Sequence, residues 1–246
     1  MILPLLMLLQ AAGPPTPAAI PLEKRFDACV DAATADPAKG EQAARAWTLD
    51  GGGFLAQQCL GMAQASAGQW SSAADAFTAA ARAAEIAKDS RAANYWAQAG
   101  NASLAAGDAA KARASLDAAL ATPTLAGLPR GEAELDRARA LVLLADRPAA
   151  RSSLDRALAF ASDDPLAWLL SATLARQMAD LPRAKKDIAA ALSRAADDAS
   201  VQLEAGNIAA SSGDEAGAKL AWTAAARIGG ESSVGKSAKA ALAQFD

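Results

Sequence analysis

Apolar and small side chains recur along this chain at helical spacing. Over 22–36, Leu22, Phe26, Cys29, Val30 and Ala33 share one face of a 3.6-residue period. Asp36-Pro37 stops that helix and starts another, with the aspartate as N-cap and the proline at the first helical position. The second helix runs to about Asp50 and carries Trp47. Near the far end, Val234, Ala238, Ala241, Leu242 and Phe245 fall on one face of a last helix, with Lys236 and Lys239 off it. That pattern suits a helix that covers the end of a larger array.

Comparing segment with segment exposes a longer period between these ends. Gly61 is followed after twelve, sixteen and nineteen residues by Ala73, Phe77 and Ala80. The same steps lead from Gly100 to Ala112, Leu116 and Ala119, and from Ala138 to Ala150, Leu154 and Ala157. They lead from Ala172 to Ala184, Ile188 and Ala191, and from Gly206 to Ala218, Trp222 and Ala225. Successive markers lie 39, 38, 34 and 34 residues apart. Four residues before each stand Gln57, Trp96, Glu134, Trp168 and Gln202, and seven after three of them stand Gly68, Gly107 and Gly213. The small markers let two helix axes approach, and the large residue sixteen positions on fills the remaining space. One helix pair buries too little to stand alone, so neighbours must stack.

This pattern resembles the tetratricopeptide repeat, a 34-residue unit of two antiparallel helices. The resemblance covers about residues 53–229. It implies an all-α fold, a right-handed α-solenoid of antiparallel helix pairs with N- and C-terminal capping helices. The organisation expected is a leader and proline-rich tether over 1–21, a helical hairpin over 22–52, five repeats over 53–229, and a linker with a capping helix over 230–246. Composition agrees. Alanine fills 73 of 246 positions and aromatics only 4%, which suits close-packed helices and leaves too few large side chains for a sheet-on-sheet core.

Charge and residue types narrow the function. The chain has no histidine, so serine–histidine and cysteine–histidine catalysis and histidine metal sites are excluded. A net charge of −3 offers no global footprint for nucleic acid. No apolar run reaches the length of a bilayer span. Met1 to Leu9 form a short apolar run, followed by small residues and prolines, a pattern that looks like a secretory signal peptide. The expected location is therefore periplasmic or secreted, or cytoplasmic if the leader does not function. In an oxidising compartment the two cysteines, Cys29 and Cys59, invite a disulfide between the first hairpin and the first repeat; two buried thiols are the alternative.

One segment imitates a nucleotide site. Gly230 to Ser237 spells G-x-x-x-x-G-K-S, the loop whose amides and lysine cradle phosphates. It follows a predicted helix rather than a strand, so a linker and helix start are expected there. Ser233 to Lys236 also spells S-x-x-K, without the companion motif of its enzyme class. Gly51-Gly52-Gly53 reads as a hinge, and Asp163-Asp164 and Asp197-Asp198 read as helix caps.

The resemblance also implies a concave groove lined by the first helix of each unit. Its positions fall on Gln58 and Met62, on Asn94, Asn101 and Leu104, on Arg139 and Val142, on Thr173, Arg176 and Gln177, and on Asn207. Asn101 and Asn207 occupy positions that in the family often bond a peptide backbone, and Arg139 and Arg176 could meet a ligand carboxylate. Ala97 stands where relatives that read acidic C-termini carry a lysine. The function expected is a non-catalytic scaffold or assembly factor that binds a protein or peptide, with no cofactor, no metal and no nucleic acid. A self-associating structural protein is the alternative, and nucleotide binding at Gly230 to Ser237 a remote one.

Overall fold

The computed structural model describes residues 20–244; the leader-like residues 1–19 and Phe245 lie outside them. The described residues form thirteen helices. Helices α1 (Leu22–Ala35) and α2 (Pro37–Leu49) make the first hairpin. Five pairs follow: α3 (Gly53–Ser66) with α4 (Trp70–Ile86), α5 (Ala92–Ala105) with α6 (Ala109–Leu120), α7 (Gly127–Leu143) with α8 (Arg147–Phe160), α9 (Pro165–Gln177) with α10 (Leu181–Leu192), and α11 (Ala199–Ser211) with α12 (Glu215–Gly229). Helix α13 (Ser233–Leu242) closes the array. Each helix packs on the next, and first helices also touch one another, α1 on α3, α5 on α7 and α9 on α11. The result is an all-α solenoid of antiparallel helix pairs.

Local chemistry explains where the helices begin and turn. Asp36, Asp108, Asp146, Asp164, Asp180, Asp198 and Asp214 each accept a backbone N–H at a helix start, which satisfies donors that have no intrahelical partner. Four of these caps sit eight residues after a repeat marker, so the inter-helix turn has a fixed design. The residue before each carries positive φ. It is glycine in units two and five, at +81° and +78°, but alanine in units three and four, where Ala145 and Ala179 are both held at +60°.

The core is a chain of small clusters rather than one centre. In the first pair of units, Phe77 packs among buried Ala73, Ala74, Ala99 and Ala102. In the fourth, Ile188 packs among Ala172, Ala175, Ala184 and Ala191. The marker positions are as tight as their small residues imply. A methyl added at Gly61 would stand 2.6 Å from Phe77, and one at Gly100 would stand 2.5 Å from Leu116. One at Gly206 would overlap the ring of Trp222. At the C-terminal end, Ala238 joins Trp222 and Ala225, with Ala241 and Leu242 packed against them.

The first hairpin departs from its sequence pattern at one point. Cys29 and Ala33 are buried as the helical period predicts, but Leu22 is 58% exposed. It is the first residue of α1. Cys29 and Cys59 are joined by a disulfide with their Cα atoms 6.2 Å apart. Around the bond lie Trp47, Leu55, Ala56 and Leu60, so the bridge fastens α1 to the first repeat inside an apolar cluster. Arg25 adds an ion pair to Asp50 at 2.7 Å and stacks over Trp47 at 5.3 Å.

Candidate functional site

The first helices α3, α5 and α7, with α1 at one end, enclose a cleft of about 710 Å³. Its wall runs from Phe26 through Leu55 and Gln58 to Asn94, Tyr95, Gln98 and Asn101, and ends on Pro129, Glu132 and Asp136. Each residue arrives there by helical spacing: Asn94, Gln98 and Asn101 recur at intervals of four and three on α5, and Glu132 and Asp136 are one turn apart on α7. Ala97 also lines the cleft, so its methyl leaves open the space a lysine would fill.

Two polar atoms in this cleft are unusual. The Tyr95 hydroxyl and the Gln98 Oε1 are buried with no hydrogen-bond partner among the described residues. Tyr95 is only 1% exposed; its ring packs on Ala80, Ala81, Ala84 and Ala92 and lies 6.0 Å from that of Phe54. Burial pushes its hydroxyl pKa up, which keeps the proton in place as a donor. A buried polar group without a partner is costly; both atoms have almost no accessible surface and lie beneath the cleft wall, whereas the uncommitted polar groups on its open face are the amides of Gln58 and Asn94. Sequence reasoning missed both. The available signal is that Tyr95 is the single tyrosine of the chain, placed beside a groove position.

A second hollow of about 250 Å³ lies further along α5 and α7, where α8 and α9 join them. Leu104, Arg139, Val142, Thr173 and Gln177, all groove positions by sequence, line it together with Leu143, Leu154, Leu170 and Leu174. It is mostly apolar, and Val142 and Leu143 are exposed.

The predicted groove residues therefore separate into two groups. Gln58 and Asn94 face the large cleft and Thr173 the small hollow, Thr173 also bonding the Leu169 carbonyl at 2.9 Å. Met62, Asn101, Arg139, Arg176 and Asn207 are engaged within the protein. Met62 packs on the Phe77 cluster. Asn101 donates from Nδ2 to Asp136 at 2.9 Å, and Arg139 donates to the other oxygen of Asp136 at 2.9 Å. Arg176 forms a two-point pair with Glu204, at 2.6 and 3.1 Å. Asn207 donates to Glu204 at 3.1 Å and accepts from the Trp222 indole at 3.1 Å. Arg139 and Arg176 thus answer carboxylates of this chain rather than of a ligand: Arg139 meets an acid three residues back on its own helix, and Arg176 one that the next first helix brings within reach. Asn207 ties α11 to α12.

Other polar groups along the array are structural. Glu134, 2% exposed, receives two bonds from Arg156 at 2.6 and 3.1 Å. Buried Asp187 accepts from Arg183 at 2.8 Å and from Ser171. Burying such carboxylates is tolerable only with this pairing. At the junction of α4 and α5, Arg91 holds Asp89 in a two-point contact at 2.8 Å and lies over the Phe54 ring at 4.9 Å. The guanidinium and the Arg91 backbone N–H hold the Asp89 carboxyl down at about 2.

The phosphate-loop imitation has neither the strand nor the cradle. Helix α12 precedes it. The Ser232 N–H bonds the Gly229 carbonyl at 2.9 Å, the Gly235 N–H bonds Ser232 Oγ at 3.2 Å, and the Lys236 N–H bonds the Ser232 carbonyl at 3.0 Å. Those amides are spent on capping α13. Among the described residues no group of three or more carboxylate or cysteine side chains is placed to hold a metal, and no helix is long and apolar enough to cross a membrane.

No protein-family model matches the chain, and no curated protein matches it. Solved structures do. PilW, described as a widely conserved type IV pilus biogenesis factor, is 20% identical with a TM-score of 0.71, over 88% of this chain and 97% of that one. PilF of Pseudomonas aeruginosa is 16% identical with a TM-score of 0.70, over 89% and 99%. YrrB, described as a TPR protein with an unusual peptide-binding site, is 19% identical with a TM-score of 0.60, over 80% and 96%. The helix pairing, the marker contacts and these likenesses establish that the chain has the tetratricopeptide-repeat fold.

Proposed function

We propose that this protein is a non-catalytic scaffold of the bacterial cell envelope that holds an extended protein or peptide segment in the cleft between α1, α3, α5 and α7. The observation that carries this reading is a preformed cleft whose wall presents Gln58 and Asn94, two amides with no hydrogen bond to a described residue. Each amide can donate and accept, which matches the alternating groups of an extended backbone. A groove fixed by packed helices and a disulfide also reduces the ordering cost of binding. The envelope assignment is supported by the leader-like N-terminus, by the disulfide, and by the fold neighbour PilW, described as a type IV pilus biogenesis factor. The peptide reading is supported by the description of YrrB.

The test is photocrosslinking in the native host. A crosslinking residue at Asn94, in the cleft, is compared with one at Lys186, exposed on α10. A partner captured from position 94 and not from 186 establishes the cleft as the binding site. Equal capture from both moves the interface elsewhere, and recovery of the chain's own oligomers alone replaces this reading with that of a self-associating structural protein.

A further inference from the structure

The charges of the cleft are lopsided once internal pairs are set aside. Arg91 is taken up by Asp89, and Arg139 by Asp136. Glu132, exposed on the cleft wall, makes no ion pair with any described residue. Asp136, one turn further along α7, lines the same wall. The unmatched charge facing a ligand is therefore a carboxylate. Beyond Asp136 the character of the surface changes: the hollow lined by Leu104, Val142 and Leu170 begins. At 1.5 Å per residue, Val142 lies about 9 Å along α7 from Asp136 and about 15 Å from Glu132. An extended chain advances about 3.3 Å per residue, so the acidic and apolar subsites are about three to five ligand residues apart.

We infer that the cleft selects a segment with a cationic side chain, arginine or lysine, spaced three to five residues from a leucine- or methionine-sized side chain. The cation meets Glu132, and the apolar side chain fills the hollow beside Val142. This rests on the peptide reading above and adds the chemistry of the ligand to it. It also gives the cleft a preference opposite to that of a groove that reads acidic tails.

Fluorescence anisotropy with the full chain tests it. Four labelled nonapeptides are compared: one with arginine and leucine four positions apart in a glycine–serine background, one with glutamate for the arginine, one with alanine for the leucine, and one with arginine and leucine adjacent. The first should bind about tenfold more tightly than the glutamate version and more tightly than the other two. In Glu132→Gln the arginine-over-glutamate preference should collapse while the leucine preference stays. Glu132 is exposed, so this variant should melt as the unsubstituted chain does, which circular dichroism checks. Equal or tighter binding of the glutamate peptide, or a preference that survives in Glu132→Gln, overturns the charge assignment and leaves the cleft a peptide site. Binding by none of the four, together with no capture at Asn94, overturns the peptide reading itself.

Discussion

Replacing Gly61 with alanine sets two opposing effects against each other. In an unconstrained helix interior the change stabilises by about 1 kcal/mol, because glycine has more backbone freedom to lose. At Gly61 the new methyl would stand 2.6 Å from Cε1 and 2.7 Å from Cδ1 of Phe77. Carbon atoms in contact rest at about 3.5–4.0 Å, so the ring or the helix must retreat by about 1 Å. The ring has little room to do so, since buried Ala73, Ala74, Ala99 and Ala102 surround it. Overpacking of this kind costs about 1–3 kcal/mol, and it outweighs the gain in helix propensity. The expected net loss is about 1–2 kcal/mol, or a fall in Tm of about 2–8 °C for a chain of this length. Urea and thermal unfolding followed by far-UV circular dichroism measure it. A companion double variant, Gly61→Ala/Phe77→Leu, rebuilds the alanine–leucine pair that Ala138 and Leu154 form in the third repeat. It should be at least as stable as Phe77→Leu alone. A rise in Tm on Gly61→Ala, or the same destabilisation by the methyl in both backgrounds, would refute the close-contact account.

Three further outcomes are expected. Ala145→Gly and Ala179→Gly, each at an exposed turn with φ of +60°, should stabilise by about 0.5–1 kcal/mol because glycine adopts that conformation without steric cost; thermal melts showing no gain would count against it. Removing the disulfide as Cys29→Ser/Cys59→Ser frees a link across 30 residues, worth about 3–4 kcal/mol by loop entropy. In a nearest-neighbour array that loss should show as faster hydrogen exchange in α1 and α2 with α9 to α12 unchanged, and uniform acceleration along the chain would contradict it. The Asp89 carboxyl lies at about 2, below its unfolded value of about 4. Its contact with Arg91 therefore contributes fully above pH 4 and is lost as pH falls through 2. A carbon-13 titration of Asp89 should give a midpoint near 2, moving up in Arg91→Ala; an ordinary midpoint in the unsubstituted protein would sink the assignment.

The fold was readable because its determinants are local and repeated. A small residue at Gly61, Gly100, Ala138, Ala172 or Gly206 and a large one sixteen positions on encode a helix crossing, and five copies in register encode a stack. Part of the turn chemistry was equally direct: Gly68, Gly107 and Gly213 stand between the helices of three units, and Asp36, Asp164 and Asp198 cap helix starts. The groove positions were readable to the extent that helical spacing fixes a face. Gln58, Asn94, Leu104, Val142 and Gln177 line the two hollows as that spacing implies.

What each polar side chain does on that face depended on neighbours distant in the chain. Asn101, Arg139, Arg176 and Asn207 have the chemistry of ligand-binding residues, yet each meets a carboxylate from its own or the next first helix. The pairing of Glu134 with Arg156 spans 22 residues, and nothing in the local sequence shows that the glutamate is buried. Tyr95 illustrates the converse. Its ring belongs to the apolar period of α5, and only the assembled cleft leaves its hydroxyl buried and unmatched. Sequence by itself determined the helices, their caps and the repeat register, because those depend on side chains within a turn or within one unit of each other. The tertiary structure alone decided which polar groups are spent on the protein and which remain for a partner, because that depends on how closely the stacked units approach.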